Sequence, residues 1–199
     1  MQKVDYNKQM EQTISEFSGD KPKLLLHSCC APCSSSVIER LKDFFDITVY
    51  YYNPNLDGIE EFTLRANEQK RLCDIFGVSY IEEEYDAKEF LAKIEGLENE
   101  LEGGSRCVKC FNLRLNKTAK KAKEKGFDYF ATTLTVSPLK NANLLNAIGV
   151  SLEKEIGIKY LVSDFKKKNG YKRSIELSNE HNLYRQNYCG CAFSKNRER

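Results

Sequence analysis

A chain of 199 residues, with 41% apolar and 30% charged side chains, is sized for one compact domain with its own core. Its 11 glycines and 4 prolines exclude collagen-like and low-complexity architectures, and a net charge of +2 identifies no partner class by itself. No apolar run approaches the ~18 residues of a bilayer crossing. The opening MQKVDYNKQMEQTISEF lacks the apolar core of a signal peptide, so a cytoplasmic protein without membrane contact is expected.

In chain order, residues 1–20 read as a polar helix or loose arm, and 21–199 as a single α/β catalytic domain. Lys23 to Ser28 (KLLLHS) is a short apolar run expected to form a buried strand. CCAPCSSSVIERLKDFF then starts a helix, with Pro32 in its first turn and Val37, Ile38, Leu41 and Phe45 as its buried stripe. Asp46 to Tyr52, β-branched and aromatic, is a second strand stopped by Asn53-Pro54-Asn55. A helix is expected from Gly58 to Phe76, a strand from Val78 to Ile81, and a helix from Asp86 to Leu101 that Gly103-Gly104 breaks. Further on come a helix from Arg106 to Lys125, a strand from Phe127 to Thr133, and a helix from Leu139 to Ile156. A strand from Lys159 to Val162 and a helix from Lys172 to Leu183 complete the pattern. There is no internal repeat or linker. Strands alternating with helices imply an α/β fold with a mostly parallel sheet, in which ligands bind beyond the carboxyl ends of the strands.

The eight cysteines are the chemical signal. Seven fall into three groups: Cys29, Cys30 and Cys33; Cys107 and Cys110; Cys189 and Cys191. Cys73 stands alone, as a core hydrophobe would. In a reducing compartment, clustered thiols point to metal or redox chemistry. Cys107 and Cys110 lie three residues apart at a predicted helix start, where both thiols project to one side and the helix N-terminus should lower their pKa values. Cys29 and Cys30, adjacent at a strand end, converge only if the backbone turns there. Cys30 and Cys33 repeat the i, i+3 relation. Two C-x-x-C motifs fit four-thiolate zinc or an iron–sulfur cluster, and spacing does not separate the two. The surplus of clustered cysteines favours redox work. Cys189-Gly190-Cys191 would close a small strained disulfide, easily reduced, or supply two more metal ligands.

Charge is unevenly spread. Residues 82–102 carry nine carboxylates against two lysines, whereas 106–125 carry eight basic residues and one Glu. Lys166, Lys167, Lys168, Lys172 and Arg173 form a second basic stretch, followed by a tail with Lys195, Arg197 and Arg199. Such asymmetry suits a polyanion. Tyr50, Tyr51, Tyr52, Tyr171, Tyr184 and Tyr188 are candidate stacking surfaces for unpaired bases. Neither G-x-x-x-x-G-K-[ST] nor G-x-G-x-x-G occurs, so no nucleoside triphosphate or NAD cradle is expected. His27 and His181 are too few and too far apart in sequence for a histidine metal site.

Six blocks in one order carry a family resemblance: LLHSCCAPC (25–33), YYNPN (51–55), RCVKCFNLRL (106–115), FATTLTVSPLK (130–140), SDFKKKNGYKRS (163–174) and LYRQNYCGC (183–191). Together they resemble the epoxyqueuosine reductases of the QueH type. The resemblance implies a HUP-like fold, similar to the adenine-nucleotide α-hydrolases but without their ATP loop. It implies reduction of the epoxide of epoxyqueuosine, at the wobble position of tRNA, to queuosine, the final step of queuosine biosynthesis. It further implies a [4Fe–4S] cluster on Cys29, Cys30, Cys107 and Cys110, a redox-active disulfide of Cys189 with Cys191, and Cys33 as a candidate ligand of an additional iron. An external electron donor and tRNA carrying epoxyqueuosine are then the partners. Lys166, Lys167, Lys168 and Arg173 are expected near phosphates, and Asp164, at a predicted strand end, could donate a proton or ligate the iron. The competing readings are a tRNA-binding module with structural zinc and a tRNA sulfur-transfer enzyme. The missing phosphate loop speaks against the latter.

Overall fold

The computed structural model describes residues 4–195; the basic residues Arg197 and Arg199 lie outside them. The first half runs α1 (Tyr6–Ser15), β1 (Lys23–Ser28), α2 (Ala31–Leu41), β2 (Asp46–Tyr51), α3 (Ile59–Phe76) and β3 (Ser79–Glu82). The second half runs α4 (Lys88–Ile94), α5 (Ser105–Glu124), β4 (Tyr129–Thr132), a 3₁₀ turn (Thr133–Val136), α6 (Ala142–Ile156), β5 (Lys159–Tyr160), α7 (Gly170–Glu180) and the short α8 (Ala192–Lys195). The five strands pair in parallel in the order β3-β2-β1-β4-β5. This is the expected α/β fold, a HUP-like sheet with helices on both faces.

Alternation along each strand feeds the two faces. Leu24, Leu26, Ile47, Val49 and Ala131 pack with Met10 of α1, Val37 and Leu41 of α2, and Leu72 of α3. Leu25, Tyr50 and Phe130 face the other way, against Phe90 of α4, Phe111 and Leu115 of α5, and Leu145 and Leu152 of α6. Both faces are therefore covered, as a parallel sheet requires. Cys73 sits in the first of these clusters as an ordinary core side chain.

Strand β5 ends at Tyr160 and helix α7 spans Gly170–Glu180, each a few residues from expectation, and three other elements differ for an identifiable local reason. The helix expected through Leu101 ends at Ile94, where Glu95 turns extended and Gly96 takes a positive φ. Beyond it, Arg106 Nη1 gathers the carbonyls of Leu97, Glu98 and Glu100 at 3.3, 2.8 and 2.6 Å, giving that segment non-helical partners. Strand β4 stops at Thr132, whose hydroxyl accepts the Leu134 N–H at 3.2 Å and starts the 3₁₀ turn. Helix α6 begins only at Ala142 because Asn141 caps it, its side chain accepting from Leu144 N.

Strand β1 leads through α2 toward β2, while β4 leads through α6 toward β5. The chain thus parts to opposite sides at the carboxyl ends of these two neighbouring strands, leaving a crevice between them.

Candidate metal centre and active site

The crevice holds a cavity of about 340 Å³, within the range of small-molecule sites. The turn after β1 supplies Cys29, Cys30 and Cys33; the segment after β4 supplies Leu134 to Lys140; the segment after α7 supplies Arg185, Gln186, Tyr188 and Cys189.

The backbone does turn where Cys29 and Cys30 must converge. Strand β1 ends at Ser28, and Cys30 is extended as the residue before α2, with a proline in the helix's first turn. Cys29 and Cys30 Sγ approach to 3.7 Å, and all three sulfurs, with Cys33, lie within 4.8 Å of one another. Hydrogen bonds from the Cys30 and Cys33 thiols hold Cys29 well below the ordinary thiol range, while Cys30 is pushed up to about 12 as the donor to Cys29. The α2 N-terminus adds its favourable dipole to the thiolate. One thiolate supported by two thiols and a helix end is ready to exchange protons for a metal ion.

Cys107 and Cys110 lie in the first turns of α5, buried in the same cluster as Cys191, with Cys29 packed against it. They are not among the three sulfurs gathered within 4.8 Å. Gly103 N–H donates to Cys107 Sγ at 3.2 Å. The expected lowering by the helix terminus fails at Cys110, which burial instead pushes up to about 11.

Cys189 and Cys191 carry no disulfide; all eight cysteines are free thiols. The expected disulfide pair is therefore present as a dithiol. The Cys191 thiol donates to Cys189 and, together with Lys140, lowers it to about 5 against the opposing effect of burial, while Cys191 is pushed up. Lys140 Nζ lies 3.2 Å from Cys189 Sγ and 3.3 Å from Glu102. Gly190 between the two cysteines has φ +108°, and a Cβ there would run into Leu56 and Arg65. Arg65 itself is buried, paired with Glu61 at 2.6 Å, and donates to the Cys189 carbonyl at 3.3 Å.

Sequence reasoning missed Arg114, which is the most informative residue of the site. It is fully buried, yet its partners are neutral: Nε donates to His27 Nε2 at 3.2 Å and Nη2 to Asn53 Oδ1 at 2.6 Å. His27, buried and pushed down to about 3 chiefly by desolvation, stays uncharged. With Nε2 accepting, its proton sits on Nδ1, 3.0 Å from Thr132 Oγ1. No carboxylate among the described residues pairs with Arg114. The groups that favour its charge are the sulfurs of Cys110, Cys29 and Cys189. A buried guanidinium without a carboxylate needs anionic neighbours, so this donor set fits an anionic thiolate–metal centre. The signal was present in the spacing: Cys107, Cys110 and Arg114 stand at i, i+3 and i+7, on one face of α5.

Other expected site residues lie elsewhere. Asp164 pairs with Lys166 at 2.6 Å and, with Lys166 and Lys167, lines a separate depression beside Tyr6 and Asn141. Lys168 pairs with Glu11 at 2.5 Å. Arg173 is bound by Glu39, Glu180 and Glu176 at 2.8, 2.8 and 3.3 Å. Tyr50, Tyr51 and Tyr52 are buried packing residues of the sheet edge and not stacking surfaces, whereas Tyr171 and Tyr184 are exposed and Tyr188 lines the cavity. Arg106 and Arg114 of the basic helix α5 point inward and do not contribute to a surface field.

Residues 24–197 match the family described as epoxyqueuosine reductase QueH. The chain belongs to the QueH epoxyqueuosine reductase family. A QueH protein of Staphylococcus epidermidis is 46% identical over 97% of this chain and 85% of its own length. One of Streptococcus pyogenes is 44% identical over 97% and 79%, and one of Thermotoga maritima 33% identical over 86% and 89%. Among solved structures, the U34-tRNA thiolase NcsA of Methanococcus maripaludis, solved with its [4Fe–4S] cluster, superposes with TM-score 0.58 at 13% identity, covering 94% of this chain and 67% of its own. That likeness shows the fold alone. QueH membership favours neither the zinc-module nor the sulfur-transfer reading. No helix among the described residues is long and apolar enough to cross a membrane.

Proposed function

We propose that this QueH protein reduces the epoxide of epoxyqueuosine in the wobble position of a cytoplasmic tRNA to the alkene of queuosine. The balance is epoxide plus two electrons and two protons giving alkene and water. The observation that carries the reading is the buried Arg114, paired with no carboxylate among the described residues, in the wall of a cavity that Cys29, Cys30, Cys33 and Cys189 also line.

In this reading a [4Fe–4S] centre takes Cys29, Cys30, Cys107 and Cys110, and Cys33 serves an additional iron. When bound, the cluster supplies electrons one at a time, drawn from an external donor. The chain's own residues do the rest. Arg114 offsets the negative charge that gathers on the sulfurs, and His27, held neutral, orients that guanidinium through Nε2. Cys189 and Cys191, as thiolate and thiol, hold two electrons and one proton, and the Lys140 ammonium beside the Cys189 sulfur carries the second proton that the epoxide needs. Lys140 keeps the Cys189 sulfur charged by donating from Nζ. The walls of Leu134, Val136 and Leu139 limit water around the reacting carbon atoms.

The test is a single turnover of anaerobically purified protein on epoxyqueuosine-containing tRNA with a chemical reductant, alongside iron and sulfide analysis. Queuosine formed by the wild type and lost in Cys110→Ala together with iron supports the reading. Full iron and sulfide in Cys110→Ala would remove that ligand. Absence of any turnover by iron-replete wild type would remove the activity.

A further inference from the structure

The geometry points to Tyr171 and Arg185 as a paired platform on which an unpaired base of the RNA stacks at the cavity mouth. The inference rests on the tRNA reading above and adds to it the side chains that receive the nucleotide.

The expected phosphate-binding cations are mostly spent inside the protein. Lys166 pairs with Asp164, Lys168 with Glu11, and Arg173 with three glutamates. Arg185 differs. It is exposed, it lines the cavity, and none of the ion pairs among the described residues engages it. Its Cζ lies 5.7 Å from the centroid of the Tyr171 ring, which is 37% exposed and lines the same cavity. Its two terminal nitrogens stand 3.5 Å from Ser178 Oγ and Tyr171 Oη, both on α7. The guanidinium is thus oriented by neutral groups, so that its charge stays available to a ligand.

An exposed aromatic ring with a guanidinium beside it is a surface on which an extruded base stacks, and the N–H groups not turned to Ser178 and Tyr171 can meet the adjoining phosphate. Arg185 also stands three residues before Tyr188, which lines the cavity above the buried Arg65, with the Arg65 guanidinium 5.3 Å from its ring centroid. The mouth therefore carries two aromatic rings, one backing an exposed cation and one backed by a buried cation. A base splayed from a loop would pass the first on its way to the thiols.

The experiment measures binding of an anticodon stem-loop RNA by fluorescence anisotropy at several salt concentrations, with iron content determined for each variant. Tyr171→Ala and Arg185→Lys should each weaken binding about 5- to 100-fold, the range of one lost base stack. Tyr171→Trp should stay within about twofold of wild type, because the stack is kept. Arg185→Gln should in addition flatten the salt dependence by about one phosphate contact. Wild-type affinity in both Tyr171→Ala and Arg185→Lys overturns the platform and leaves the tRNA reading standing. Failure of the wild type itself to bind the stem-loop overturns both.

Discussion

Replacing Arg114 by Met removes the buried charge while keeping much of the side chain's volume, and its effect should depend on whether the thiols carry metal. In metal-free protein two acceptors lose a donor, His27 Nε2 and Asn53 Oδ1. His27 can recover by moving its proton to Nε2, which lies 3.2 Å from the Tyr52 carbonyl, while Thr132 donates to Nδ1. Asn53 alone is then left short, at a cost of about 1–3 kcal/mol, and losing an under-compensated buried cation offsets part of it. In loaded protein the guanidinium faces additional negative charge. At ~4–6 Å and an effective dielectric of ~20, one unit charge is worth about 3–4 kcal/mol. Iron retention should therefore fall about 10²- to 10³-fold. The assay is iron and sulfide per chain before and after a chelator challenge, with thermal midpoints of loaded and metal-free forms. If Arg114→Met keeps wild-type iron through the challenge, or both forms lose equal stability, the charge-compensation argument is refuted.

Two further predictions concern the loop that bears Cys189 and Cys191. A Cβ at Gly190 would stand 2.4 Å from Leu56 Cδ2 and 2.7 Å from Arg65 Nη1, at φ +108°. Gly190→Ala should therefore cost about 2–5 kcal/mol from backbone strain and overpacking together, read from denaturant midpoints; a cost below about 1 kcal/mol would show that the loop has room. Cys189, lowered to about 5 by Cys191 and Lys140, is a thiolate at neutral pH and loses that form as pH falls through about 5. Iodoacetamide labelling of the reduced, metal-free protein should stay near its plateau at pH 7, and Lys140→Gln should move the midpoint upward toward 9, the ordinary thiol value. A wild-type plateau reached only above pH 8 would contradict the assignment.

Much of this architecture is readable from residue pattern, because parallel strands buried on both faces are short apolar runs and their helices carry clear stops. Lys23–Ser28 and Asp46–Tyr51 follow the pattern closely. The meeting of Cys29 with Cys30 was legible only as a condition, a turn that Pro32 and the helix start favour, and spacing did not reveal that Cys33 joins them within 4.8 Å. The basic residues were less legible. Composition counts Arg106, Arg114 and Arg173 alike, but one holds backbone carbonyls, one faces sulfurs and one is claimed by glutamates. Whether a cation is available to a ligand depends on partners remote in sequence: Arg173 and Glu39 are 134 residues apart. Arg65, which anchors the Cys189 carbonyl from 124 residues away, is invisible to local reasoning for the same reason.

The parallel topology also imposes an order of events during synthesis. Cys29, Cys30 and Cys33 emerge first, and Cys107 and Cys110 follow once α5 is made, but β4, which brackets the crevice beside β1, comes only afterwards. The loop bearing Cys189, with its anchor on Arg65, arrives about 80 residues after Cys110, some 4–16 s later at ordinary elongation rates. For that interval the early thiols are made yet lack the wall that will shelter them. Oxidants and wrong metal ions thus meet these sulfurs before the protein can exclude them, and the nascent chain, more than the finished enzyme, is the form most dependent on a reducing cell.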